Sequence, residues 1–440
     1  VPGSTSAAIT PLGADGRRAV VVRVEPTHRR GAIAEADSMT MAAAAKLALD
    51  VRLPLVAVLS TSGADVHGGV AALHGWGTAA RAVAACSGVV PILFAVIGPA
   101  VSGPALLLGM ADVVVMSAEA LAYVSGPAMV AQMTGMQLSP AELGGSGVHS
   151  RATGVAALTI GHVDDALDAL SDVMAYLPDH TDDEAPTGPR TDPAERATPE
   201  LQGLLPSQAA GSYDVRDVVR AIADYGELLE LRAGWAPQLV TALARVDGRS
   251  VGIVANQPLA MAGTLDIAAA QKGARFVSFC DSFNLPIVTL VDTPGFMPGK
   301  DLEWRGMIRH GAQLVYAYAE ASVPRVSLIL RKAYGGAYIV MDSKSMGNDL
   351  CLAWPSAEVA VMGAQGAVKI LHRRAEADTQ AQLVEDYQEE FLNPYVAAER
   401  GYIDQIIDPA ESRTAIAGAL RVLSTKREKL RARKHGNSPL

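Results

Sequence analysis

Two short glycine turns hold the chemistry that this sequence could perform. Ser102-Gly103 follows the apolar run Ile92–Ile97, and Gly335-Gly336-Ala337 follows the apolar run Val326–Leu330. In each place a buried strand is expected to end in a tight turn that opens a helix, which aims backbone N–H groups at an oxygen where negative charge develops. No nucleophile-and-base pair competes with these turns. The Gly-x-Gly-x-x-Gly, Gly-x-x-x-x-Gly-Lys and His-Glu-x-x-His patterns are all missing, which removes dinucleotide-fold, P-loop and zinc-protease readings. His67 and His74 stand seven apart with no third ligand at useful spacing, so no metal is expected. A reaction in which the protein supplies positioning and oxyanion donors, such as enolate chemistry on a thioester, fits this inventory.

The elements around the two turns repeat. Pro91 to Gly103 and Pro324 to Gly336 are both 12 positions, an offset of 233, and Leu53-Pro54-Leu55-Val56 matches Leu285-Pro286-Ile287-Val288 at an offset of 232. The chain therefore reads as two copies of one fold. Apolar strand-length runs at Leu55–Leu59, Ile92–Ile97, Ser250–Ala255, Ile287–Val291 and Val326–Leu330 alternate with helix-length segments at 38–49, 69–85, 265–281 and 302–321. That alternation predicts α/β units. Met307, Gly311, Leu314, Tyr318 and Ser322 recur at helical spacing and mark one face to pack on a sheet.

Composition sets the class. The chain has 440 residues, 50% hydrophobic and 19% charged, enough to bury two cores. We expect an N-terminal domain over 1–185, a linker over 186–210 and a C-terminal domain over 211–440. Pro178, Pro186, Pro189, Pro193, Pro199 and Pro206 crowd the junction, where too few apolar residues remain for the segment to order itself. A net charge of -9 argues against nucleic acid, and the basic stretch 426–435 reads as a solvated tail. The membrane-like stretch 89–116, with Asp112 its one charge, is broken by Pro91, Gly98-Pro99, Gly103-Pro104 and Gly109 into strand, turn and helix, so no membrane span is expected. Cys86, Cys280 and Cys351, odd in number and far apart, argue against disulfides and for a cytoplasmic protein. Val1 is not a methionine, so the natural start is expected to lie upstream.

Ordered runs in the second half resemble the carboxyltransferase (β) subunit of biotin-dependent acyl-CoA carboxylases, of the acetyl- and propionyl-CoA type. They are Tyr213-Asp214-Val215, Gly248 to Pro258, Val291-Asp292-Thr293-Pro294-Gly295-Phe296, Ile308 to Ala312, Lys332 to Tyr338, Ala353-Trp354-Pro355, Val361 to Ala364, Ala398 to Asp404 and Lys434 to Leu440. The resemblance implies two tandem crotonase-like α/β domains, the first facing the acyl-CoA and the second facing biotin. It implies a carboxyl transfer from carboxybiotin to the α-carbon of a small acyl-CoA, acetyl- or propionyl-CoA, with biotin carried on a separate protein and charged by a biotin carboxylase. By the same resemblance Gly336 and Ala337 hold the biotin oxygen, with Gly335 and Tyr338 around it. Ser102 and Gly103 hold the thioester oxygen, with Gly63 and Ala64 binding substrate. The family forms hexamers, trimers of dimers, with each site shared between subunits.

The first half departs from the family pattern. Serine stands at 102 where members usually have glycine, so either its φ is negative or the loop is reshaped. Asp65 and Gly68 replace an arginine and a glutamate, removing a cation and its partner, and the opening segment is shortened. Ile339, at a position lining the family's site, leans toward the acetyl type or a broader pocket, against an ordinary core residue. His310 is expected to pack rather than to act as a base, and Trp76, Trp235, Trp304 and Trp354 to anchor cores or interfaces. Two further readings remain: a repurposed member that carboxylates or decarboxylates an unusual acid or thioester, and a non-catalytic scaffold subunit.

Overall fold

The computed structural model describes residues 3–439 apart from 14, 207, 209, 210, 375, 427 and 429, with the backbone alone at 377 and 378. Val1, Arg427 and Lys429 of the basic tail, and Leu440 lie outside the described residues.

The chain forms two compact units, Val1–Pro186 with Leu231–Trp235 and Ser282–Asn284, and Thr187–Glu230 with Ala236–Asp281 and Leu285–Leu440. In the first unit β1 (Thr5–Leu12) and β2 (Arg17–Val24) form a hairpin, followed by α1 (Glu35–Val51), β3 (Leu55–Thr61), α2 (Val70–Cys86), β4 (Ile92–Val101), β5 (Val113–Ser117), β6 (Leu121–Tyr123) and β7 (Leu158–Ile160). The sheet order is β1-β2-β3-β4-β5-β7, with β6 beside β4. Among the described strand pairs of this sheet, β1–β2 is antiparallel and the rest are parallel. All seven residues of β3 are buried, as befits a central parallel strand covered on both faces. Helices α1 and α2 share a core with it through small residues, Ala44, Ala45 and Ala48 from one and Ala79 from the other. Gly75 permits the close approach, since a Cβ there would stand 3.0 Å from the Glu35 Cα.

The second unit repeats the plan. It contains β8 (Leu228–Glu230), β9 (Leu239–Val246), β10 (Arg249–Asn256), β11 (Ile287–Thr293), β12 (Arg325–Tyr334), β13 (Leu350–Ala353), β14 (Glu358–Ala360) and β15 (Gln405–Ile406). The order is β15-β13-β12-β11-β10-β9-β8, with β14 beside β12. The repeat is exact in register: Leu55 pairs with Ile92 and Ile287 with Arg325, and the ladders shift at Thr61↔Ala100 and Thr293↔Ala333. Past that shift β4 and β12 pair with the short strands β6 and β14, so each ten-residue strand carries its turn beyond the body of its sheet.

Two expectations are corrected. The predicted helix over 302–321 is two helices, Lys300–Trp304 and Met307–Glu320, parted at Gly306 with φ 92°. Its apolar face is there, with Met307, Gly311, Leu314 and Tyr318 buried, while Ser322 lies past the helix end and donates to Asp281. The proline-rich junction packs on the second unit. Arg413, fully buried, donates to the Asp224 carboxylate at 2.7 Å and to the carbonyls of Asp192 and Pro193 at 3.0 Å each. Thr198 donates to the Pro409 carbonyl at 2.9 Å, and Leu201 joins the core around Val240, Ile253 and Trp354. Composition missed this because the segment is held by polar partners distant in sequence. No described helix is long and apolar enough to cross a membrane.

Candidate active site

In both units the end of the second parallel strand makes the same small loop. The Thr61 Oγ1 accepts the Gly63 N–H at 3.0 Å, and the Thr293 Oγ1 accepts the Gly295 N–H at 3.4 Å. Ile33 donates to the Gly63 carbonyl and accepts from the Asp65 N–H, at 2.8 and 2.9 Å; Leu265 does the same with Gly295 and Met297, at 3.1 and 2.8 Å. Each loop thereby leaves one intervening N–H, that of Ala64 or Phe296, without an acceptor among the described residues. Sequence reasoning named Ala64 and missed Phe296. The offset of 232 between the copies was the signal.

Beside the second loop, β12 ends at Tyr334 and the helix Gly335–Val340 begins. Gly335 has φ 58°, in the left-handed region that favours glycine, and a Cβ there would stand 3.0 Å from the Val361 carbonyl oxygen. The N–H groups of Gly336 and Ala337 fall in the first helical turn, where no intrahelical acceptor exists. Gly336 is exposed, and a Cβ on it would meet only the Phe296 ring, at 3.8 Å. Ala337 and Tyr338 are buried, whereas Ile339 is 39% exposed and is therefore no core residue. Asp292 fixes the strand end by accepting from the Tyr213 hydroxyl, the Arg331 guanidinium and the Lys332 N–H, at 2.9, 3.1 and 3.1 Å. Burial holds its carboxyl above the usual range in spite of Arg331. The Tyr334 hydroxyl is bonded to Glu358, and burial followed by this carboxylate raises its pKa.

The turn in the first unit shares the positive φ of the second, at Ser102 in place of Gly335, but opens a 3-10 helix, Gly103–Gly109, and has a different donor set. Ser102 has a positive φ of 64° with ψ -146°, so the negative φ that was one of the two expectations from sequence is not found. Its N–H donates to the Tyr123 carbonyl at 2.9 Å, continuing the β4–β6 ladder. Pro104, which matches Ala337 at the repeat offset, has no N–H. Gly103 is left as the backbone donor of this turn, packed so closely on Trp76 that a Cβ would meet the indole at 3.1 Å. Gly63, with φ 97°, adjoins the serine: a Cβ on it would stand 3.0 Å from the Ser102 Cβ.

The charge change at position 65 is compensated locally. Asp65 accepts the His67 N–H at 3.1 Å and pairs with Arg29 at 2.6 Å, so a cation stands beside the loop from another segment. His67 and His74 are exposed, and among the described residues no three His, Cys, Asp or Glu side chains are grouped to hold a metal. His310 is hydrogen-bonded to Gln271 at 3.1 Å and Gln313 at 3.3 Å. Trp354 is a core residue donating to Ser412 at 2.9 Å, but Trp304 is 78% exposed beneath Lys300. The three cysteines are buried and unpaired, and burial pushes the Cys86 and Cys351 thiols up to about 11.

The sequence matches the carboxyl transferase domain family over residues 7–438. It is 42% identical over 445 residues to a propionyl-CoA carboxylase beta chain of Saccharopolyspora erythraea, covering 97% of this chain and 82% of that one. It is 39% identical over 427 residues to a methylmalonyl-CoA decarboxylase alpha subunit of Veillonella parvula, covering 97% and 84%. Among solved structures, that of the transcarboxylase 12S hexamer with methylmalonyl-CoA and methylmalonic acid bound superposes with a TM-score of 0.97 at 40% identity, over 99% of this chain and 85% of that one. Paired strand-to-helix turns on two tandem crotonase-like α/β units, with a family match spanning nearly the whole sequence, place this chain in the carboxyl transferase domain family.

Proposed function

We propose that the protein is the carboxyltransferase component of a biotin-dependent acyl-CoA carboxylase, acting on a small acyl-CoA such as propionyl- or acetyl-CoA. The observation that carries this reading is the second turn, where the first-turn N–H groups of Gly336 and Ala337 adjoin and Gly336, with no side chain of its own, is exposed. A pair of such donors fits the ureido oxygen of biotin, and Gly335 and Tyr338 hold the turn in shape. Biotin, carboxylated on a separate carrier protein, supplies the carboxyl group and the base when bound. The chain's own work is to stabilise charge: Gly336 and Ala337 on one oxygen, Gly103 with Ala64 on the thioester oxygen, while Gly63 shapes the loop that holds Ala64. Donors fixed by strand and helix need no reorganisation as charge develops.

The partners are then a biotin carboxylase and a biotin carrier, and the working assembly is a hexamer whose sites combine the first unit of one subunit with the second unit of another. Ile339, exposed beside the biotin turn, favours the acetyl type or a broad acyl pocket. Three buried unpaired cysteines suit a cytoplasmic protein.

The test is carboxylation of acetyl- and propionyl-CoA by the protein reconstituted with a biotin carboxylase and carrier, beside Gly336→Val. Wild type should fix bicarbonate into one or both thioesters. The variant should lose about a hundredfold, as expected when a branched side chain on this exposed turn keeps the biotin oxygen from its donors, one such donor being worth roughly 2.7–4 kcal/mol. A variant as active as wild type would remove the role given to this turn. Likeness to a decarboxylase subunit gives a second reading, and the same assay run from methylmalonyl-CoA distinguishes the two.

A further inference from the structure

We propose that the Ser102 side chain is itself a catalytic donor, its hydroxyl replacing a backbone N–H at the acyl-side oxyanion. This rests on the reading of the first unit as the acyl-CoA side. Three observations converge on it. The first is a deficit of donors. Where the second turn offers Gly336 and Ala337, the first has Ser102 with its N–H taken by Tyr123, Gly103, and Pro104 with no N–H at all.

The second is strain. Ser102 sits at φ 64°, ψ -146°, a combination that is essentially reserved for glycine, and Gly335 holds the matching place in the second unit. A serine kept there must be offset by something its side chain does. The third is placement. Ser102 is exposed, no described residue accepts from or donates to its hydroxyl, and its Cβ lies against Gly63, the residue before Ala64 in the loop, 3.0 Å from where a Cβ on that glycine would stand. A serine O–H can rotate to donate to an oxygen lodged between that loop and Gly103.

No bond to the serine forms in this role. The thioester oxygen gains negative charge as the α-proton leaves to the base, and the hydroxyl keeps its proton while donating a hydrogen bond to that oxygen.

The experiment compares wild type, Ser102→Gly and Ser102→Ala in the reconstituted complex. Glycine relieves the strain and alanine keeps it, and both remove the hydroxyl. Both are expected to lower kcat for acyl-CoA carboxylation by about a hundredfold, the lower end of the effect of losing one oxyanion donor. KM should change little, and release of CO₂ from carboxybiotin without acyl-CoA should be unaffected. Melting temperature should be held or raised in the glycine variant. Wild-type turnover in either variant overturns the serine's role and leaves the proposed function standing. A wild-type complex inert on every acyl-CoA, yet releasing CO₂ from carboxybiotin, overturns the acyl-CoA reading and the serine with it.

Discussion

At the scale of single residues, the side chains with unusual energetics lie next to the turns. Asp342, fully buried with φ 58°, follows the helix that opens at Gly335. It accepts from Arg325 at 2.5 Å and Asn348 at 3.0 Å, yet burial pushes its carboxyl up to about 6 against the pull of Arg325. The folded protein therefore keeps a proton at pH values where the unfolded chain, with an ordinary aspartate, has lost it. This site's contribution to stability is fully present below about pH 4 and is lost as pH rises to about 6, amounting to roughly 2–3 kcal/mol. Melting curves between pH 4 and 7 should show this downward component on top of the other groups. In Asp342→Asn the component should vanish, while stability at pH 7 falls because Arg325 is left buried without its partner. An unchanged slope in the variant would assign the titration elsewhere.

At the scale of elements, the segment from Thr187 through Leu204 is held to the second unit mainly by Arg413. That side chain sits where the Asp192 and Pro193 carbonyls, the Ile222 carbonyl and the Asp224 carboxylate converge, and Asp192 also binds Arg196 and the Tyr225 N–H. Arg413→Met keeps the volume and removes the charge, leaving Asp224 buried with one fewer partner. The expected loss is about 3–5 kcal/mol, the usual effect of breaking a buried pair from one side. Limited proteolysis should cut first within 187–204 in this variant, ahead of the sheet strands. Equal resistance of variant and wild type would show that Thr198 and Leu201 suffice to hold the segment.

At the scale of the whole molecule, apolar side chains remain uncovered on both units. Val66 is 90% exposed, Val70 81% and Met133 76% on the first, and Ile308 84% and Val361 77% on the second. Large exposed apolar groups in such number are the mark of surfaces meant to be covered. Ala64 and Gly103 lie close in sequence to Val66 and Leu106, and Gly336 to Ile339, so association of subunits would bury the surroundings of both turns. Sedimentation at micromolar concentration should give an assembly, expected to be a hexamer, and no folded monomer. A stable monomer with full activity would remove the shared-site arrangement.

The sequence by itself determined the two-copy plan, the parallel strands at 55–59, 92–97, 287–291 and 326–330, and the turn after each longer strand. Apolar runs and glycine pairs are local signals, and a buried parallel strand ending in a turn needs no distant information to be recognised. The kink at Gly306 was also written locally, as a glycine within a helical pattern, but the face formed by Met307, Gly311 and Leu314 masked it. Tertiary structure alone decided which N–H groups of the turns stay open. The Ser102 N–H is closed because β6 returns to place the Tyr123 carbonyl against it. Arg29 meets Asp65, and Arg413 orders a proline-rich segment, only because the fold joins them across stretches of chain that carry no mark of the pairing. Hydrogen bonds and ion pairs between distant residues depend on where the sheet sets each loop, and that is a property of packing rather than of any one segment.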